Sequence, residues 1–199
     1  MLNAHHFGDC CQKKHDVSRK IFITIGAVSR STRNFTFIMR QLLLLPPEAN
    51  WEFWIIGKIR ETIYIPHEIQ SKIKFLGRLS FKKMYEKIES ADFFLPLLEP
   101  ETQAMYLQGA TSGSRQLILG FCIPPIIHEV FAEHYGFTAD SCLVYNEEIP
   151  FSTALRQALT IDNDKYKNMR LSLKKLHKEV ENDSLNNLRK MIMANESIT

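Results

Sequence analysis

No apolar run in this 199-residue chain approaches the roughly 20 residues that cross a bilayer. The opening stretch MLNAHHFGDCCQKKHDVSRK is polar and lacks the apolar centre of a secretory leader. A soluble, cytoplasmic chain is therefore expected, with peripheral contact at the inner face of a membrane left open. Charge of one sign is also scarce: the net charge of +3 makes no case for nucleic acid as a partner. Cysteine is sparse and unpatterned. Cys10, Cys11, Cys122 and Cys142 show no repeated spacing, which suits a reducing compartment, with Cys122 and Cys142 as small buried hydrophobes. The eight glycines never form a Walker loop ending in GK[ST], and no GxSxG elbow occurs. HEVFAEH at 128–134 misses the zinc-protease pattern HExxH because Ala132 stands where the second histidine belongs. His5, His6, Cys10, Cys11 and His15 offer only an irregular ligand set, so no metal is expected.

Apolar residues make up 45% of the chain, enough for a sizeable core. Short apolar runs alternate with helical periodicity, as in a parallel sheet flanked by helices. Strands are expected at 21–25 (IFITI), 53–56 (FWII), 73–76 (IKFL), 93–95 (FFL), 125–127 and 143–145. Several are apolar on both faces, which fits a sheet covered on both sides. Between them, Phe35, Ile38, Leu42 and Leu45 recur at helical spacing after a capping Asn34. Ser80 can cap a second helix, a third begins near Ser112–Ser114, a fourth ends at Gly136, and a fifth covers 151–159. Beyond Asp164, Met169, Leu173, Leu176 and Val180 mark one amphipathic stripe. Leu185, Leu188 and Ile192 mark another after the tripeptide END at 181–183. The expected organisation is an arm at 1–19, a Rossmann-like doubly wound domain of about six strands at 20–160, and amphipathic helices at 161–199.

Ligands of open parallel sheets sit where strands deliver their carboxyl ends to loops and helix starts. Four such loops stand out. In GAVSRSTRN, 26–34, Gly26 permits a tight turn and Arg30 and Arg33 lie just ahead of a helix. That is a receptive place for phosphate, or more plainly a solvated basic loop. Gly57 ends WEFWIIG, and Gly77 and Arg78 follow the third strand. Freed backbone there could flank a planar base, though glycine is also ordinary turn chemistry. The fourth loop presents Thr111, Ser112, Gly113 and Ser114 at a helix start, where the dipole is positive and an anion fits. Simple capping is the alternative. Arg115 adds a cation where the dipole disfavours one.

The motif series FITIGAVSRSTRNF, WEFWIIGK, IKFLGRLSFKKMYEKIESADFFLPLLEPE, TSGSRQLILGFCIPPII and CLVYNEEIPFSTALRQAL resembles the carboxyl-terminal lobe of two-lobed (GT-B) glycosyltransferases of the group 1, or family 4, type. The resemblance covers about residues 20–160. It implies a nucleotide-diphosphate-sugar donor such as a UDP- or GDP-sugar, no separate cofactor, and transfer to a glycan or lipid-linked acceptor. By that likeness Arg30, Arg33 and the helix start at 111–115 face the diphosphate, and Gly57, Gly77 and Arg78 lie near the base. Glu99 or Glu101 stands toward the sugar or ribose. An amino-terminal lobe, in the same or another chain, is the implied partner.

The chain departs from that family's pattern at two positions. Leu117 stands where a second carboxylate is expected, and Ala27 where an arginine follows the first glycine. These motivate an alternative, a non-catalytic interaction or regulatory module that keeps the fold without the transfer chemistry.

Overall fold

The computed structural model describes residues 18–27, 34–110 and 112–196. At its centre lies strand β1 (Lys20–Ile25), paired in parallel with β2 (Trp51–Ile56) from Lys20↔Trp51 to Ile25↔Ile56. β3 (Ile73–Gly77) lies beyond β2, and β4 (Phe93–Phe94) flanks β1 on its other side. β5 (Ile126–His128) and β6 (Leu143–Tyr145) form a separate parallel pair. A single bridge, Phe94↔Pro125, joins the two, with the Phe94 N–H donating to the Pro124 carbonyl at 3.0 Å. The six strands thus follow the order 3-2-1-4-5-6, the doubly wound arrangement, divided four and two where one continuous sheet was expected. Pro124 and Pro125 lack the N–H groups that would extend the ladder past this bridge.

The run KIFITI is buried almost throughout because helices cover both of its faces. Alternate residues point to opposite sides. Phe22, Phe53 and Phe93 pack against α1 (Phe35–Leu43) and α6 (Phe151–Thr160). Ile21, Ile23 and Phe94 pack against α2 (Phe81–Ser90), α4 (Gly113–Phe121) and α5 (Glu129–Tyr135). Between β4 and α4 sits a single turn, α3 (Pro100–Gln103). Local chemistry sets the helix ends. Asn34 accepts the Phe37 N–H at 3.0 Å and Ser80 accepts that of Lys83 at 3.4 Å, as N-caps do. Gly136, at φ 76°, ends α5 in the left-handed region.

The expected break at 181–183 is absent: residues Asn163–Glu196 form one continuous helix, α7. Its first half crosses the amino-terminal edge of the sheet. The Tyr166 hydroxyl donates to the Asp92 carbonyl at 2.8 Å, Arg170 donates to the Phe121 carbonyl at 3.4 Å, and His177 Nδ1–H donates to that of Leu119 at 3.0 Å. Arg170 and His177 thereby supply donors to the last carbonyls of α4, the end that favours cations. Asp92 ties the same edge together. Its carboxylate accepts the Ile21 N–H at 2.7 Å, and its own N–H donates to the Ile21 carbonyl at 2.8 Å.

Candidate functional site

The opposite rim, at the carboxyl ends of the strands, carries the loops singled out in the sequence. Gly77, Gly57 and Gly26 end β3, β2 and β1, side by side. The Gly57 N–H donates to the Gly77 carbonyl and the Gly26 N–H to the Ile56 carbonyl, both at 2.9 Å. All three have positive φ, at 65°, 148° and 142°. At Gly57 the constraint is also steric, because a Cβ there would run into the Gly26 carbonyl oxygen. At Gly77 a Cβ would meet nothing within 4 Å. The result is a terrace of bare backbone over three neighbouring strands, one side of which opens to free space. Arg78 is exposed beside it. Under the terrace the Thr24 hydroxyl is fully buried and has no hydrogen-bond partner among the described residues.

Across the β1/β4 reversal stands the start of α4. Ser112, 6% exposed, accepts the Arg115 N–H at 3.4 Å as the N-cap, and its carbonyl accepts the Gln116 N–H. Ser114 is buried at 8% exposure. The Ser112 hydroxyl is therefore committed to the helix end, and the amides of Gly113 and Ser114 are what the α4 backbone can offer a ligand. No Cβ clash limits approach at Gly113. Arg115 lies over the Tyr135 ring, 5.7 Å from its centroid. Its Nε finds no acceptor, and no carboxylate lies in ion-pair range among the described residues. Burial lowers the guanidinium pKa, while burial raises that of the Tyr135 phenol, with Ser112 and Arg115 offsetting part of the rise. The stacking on α5 accounts for a cation in the first turn of a helix without an acidic partner.

The loop after β4 turns at Leu97, a buried non-glycine residue at φ 55°. Two residues on, Glu99 is half-buried. Its N–H donates to Gln103 Oε1 at 2.8 Å, and its carboxylate accepts the Tyr145 hydroxyl at 3.3 Å. Tyr145 also donates to the Leu98 carbonyl at 3.3 Å. Burial raises the Glu99 pKa, the Tyr145 hydrogen bond pulls it partway back, and Glu101 adds repulsion. Tyr145 itself is pushed well up by burial and by Glu99, so it remains a neutral donor. Glu101 is exposed in the first turn of α3.

Three residues at this end escaped the sequence reading. Tyr145 closes β6, the His128 ring meets it edge-on at 5.3 Å, and Asn146 donates to Glu129 at 2.8 Å. The available signal was their place as the last or next residue of an expected strand. Arg30, Arg33 and Thr111 lie outside the described residues, as do His5, His6, Cys10, Cys11 and His15.

Solved structures share this arrangement. An α,α-trehalose-phosphate synthase (UDP-forming) from Burkholderia vietnamiensis superposes with TM-score 0.55 at 12% identity, over 87% of this chain and 46% of that one. Anabaena HepE in complex with UDP and glucose gives 0.55 at 10%, over 87% and 49%. A structure of accessory secretory proteins 1, 2 and 3 in Streptococcus pneumoniae gives 0.58 at 12%, over 92% and 36%. In fold, the chain is similar to part of each of these GT-B-type structures. It spans less than half the length of each of these three chains. No protein-family model matches it, and no curated protein does. Leu117 is partly buried and packs against the apolar cluster under α4, so that position presents a hydrocarbon side chain to the core. No helix among the described residues is long and apolar enough to cross a membrane.

Proposed function

We propose that this chain is the nucleotide-diphosphate-sugar-binding lobe of a glycosyltransferase of the group 1, family 4 type, acting on a glycan or lipid-linked acceptor. The observation that supports this reading is the glycine terrace at 26, 57 and 77, which ends β1, β2 and β3 on one side of the reversal of strand order, while α4 follows β4 on the other. A flat base can lie on backbone that bears no Cβ, with Arg78 at its margin. The diphosphate then meets the amides of Gly113 and Ser114, together with Arg30 and Arg33 from the loop after β1. In the transfer step the acceptor oxygen bonds to the anomeric carbon as the bond from that carbon to the phosphate oxygen breaks. The departing nucleotide diphosphate takes the electron pair, the acceptor hydroxyl's proton passes to a base or to a departing phosphate oxygen, and fixed dipoles and guanidinium groups stabilise the charge the leaving group gains. Glu99, positioned by Tyr145, accepts a hydrogen bond from a sugar hydroxyl, with Glu101 at the outer margin. An acceptor lobe, in the same or another polypeptide, completes the cleft and aligns the attacking hydroxyl.

Calorimetric titration with UDP and GDP tests the reading, with saturable binding of at least one expected below millimolar concentration. The double variant Arg30→Ala/Arg33→Ala weakens that binding by about 1.5–3 kcal/mol for each charged contact removed. Absence of binding by every nucleotide diphosphate would overturn it. Leu117, turned into the core where the family carries a carboxylate, favours a second reading, a non-catalytic module on the same fold. Unchanged nucleotide affinity in the double arginine variant would support that module instead.

A further inference from the structure

Charge along this chain is segregated. Six of its 25 lysines and arginines, and none of its 22 aspartates and glutamates, fall between 165 and 178, so the rest of the chain carries a net charge of −3. That segment is the half of α7 anchored on the domain. Tyr166, Met169 and Leu173 are buried, and Arg170 and His177 are taken up by the Phe121 and Leu119 carbonyls. At about 100° per residue, Lys167, Leu171, Lys174, Lys175 and Lys178 share a sector of about 100° on the side turned away from that anchorage. All five are exposed, Leu171 at 52%.

Little within the chain answers this charge. Asp164 precedes the face and Glu179 and Glu181 follow it. Among the described residues Lys175 pairs with Glu179 at 4.0 Å, with both side chains well exposed, and Lys167, Lys174 and Lys178 have no carboxylate in range. Lys174 and Lys175 each stand one turn from Lys178, a repulsion that an anionic surface would relieve. The chemistry of the face selects among anionic partners. Nucleic acid is gripped through arginine forks and stacked aromatic rings, and this face has neither. Its cations are lysines, point charges indifferent to the geometry of the phosphate they meet. Its one apolar side chain is aliphatic and central, which suits insertion among lipid headgroups. From Lys167 to Lys178 the face is a straight line of about 16 Å that can lie along a bilayer.

We propose that the outer face of α7 from Lys165 to Lys178 adsorbs to an anionic phospholipid surface, its lysines meeting headgroup phosphates and Leu171 entering the headgroup layer. A bilayer there lies at the amino-terminal edge of the sheet and leaves the glycine rim open, so the proposal stands apart from the donor-site reading. Co-sedimentation of the full chain with vesicles tests it, using phosphatidylcholine alone and phosphatidylcholine mixed with phosphatidylglycerol. Binding is expected on the mixed vesicles only, and it falls steeply as salt rises from about 0.1 to 1 M. Each lysine is worth about fivefold in partition, so Lys174→Glu/Lys178→Glu lowers it at least about tenfold with circular dichroism unchanged. Lys82→Glu/Lys83→Glu, the same change of charge at exposed positions on α2, leaves it within about twofold. Leu171→Ala lowers it about two- to tenfold. No binding at low salt, equal binding to the neutral vesicles, or an equal loss in the two charge-reversed variants would overturn the proposal. So would tighter binding to heparin, a soluble polyanion, than to the mixed vesicles.

Discussion

At the residue scale the rim is governed by what three glycines omit and by how one carboxylate is held. The glycines were legible because each follows an apolar run that can only be a strand, and a strand end is where bare backbone has a use. The role of Tyr145 was not legible, since its contact with Glu99 joins positions 46 apart in sequence. That contact permits a prediction with a definite sign. Burial raises the Glu99 pKa in the folded chain, so ionising this group works against folding. Its contribution is fully favourable below the ordinary carboxylate range and is lost as pH rises through the folded value. Glu99→Gln keeps an acceptor for Tyr145 and removes the charge. Urea unfolding at pH 7 should therefore show the variant more stable than the parent, with the gain vanishing near pH 4. A variant less stable at pH 7 would show instead that the ionised Glu99 carboxylate stabilises the fold.

At the element scale, strands and helices follow the apolar periodicity closely. The expected strand at 73–76 is β3, and that at 143–145 is β6. The turn of 3-10 helix at His67–Lys72 and the short α3 were not anticipated, because neither is long enough to establish a period. The tripeptide END suggested a break in α7, since Asn and Asp compete locally for backbone hydrogen bonds. The helix continues through it, with Ser184 bonding back to the Val180 carbonyl at 2.8 Å. The two halves of α7 should respond differently to truncation. Leu173 is fully buried and Leu188 is 40% exposed. Leu173→Ala is expected to cost about 2–5 kcal/mol in denaturant unfolding. Leu188→Ala in dilute protein should cost less than about 0.5 kcal/mol. Equal losses would show that the distal half is packed on its own domain.

At the scale of the whole molecule, two layers of helices on a 3-2-1-4-5-6 strand order place Gly26, Gly57 and Gly77 at one rim and the first half of α7 across the other. In proteins that share this fold at 10–12% identity the match takes up 36–49% of their length, so a domain of this kind recurs inside larger architectures. The ligand reading has a consequence for global stability. A nucleotide diphosphate that binds the folded lobe alone, at a hundredfold excess over its Kd, should add about 2.7 kcal/mol. A thermal-shift titration with UDP and GDP reads this directly, and no change in melting at any concentration would count against the site.

The sequence by itself determined where the main strands and helices lie and that three glycines follow three apolar strand runs. Those features depend on local periodicity and on conformational freedom at single residues. Only the tertiary structure decided that Ser112 and Ser114 are buried at the α4 start, that Arg115 stacks on Tyr135, that Tyr145 holds Glu99, and that the second stripe of α7 faces away from the first. Each of these depends on which distant element arrives beside a residue. Burial, pairing and pKa are properties of that neighbour as much as of the residue itself.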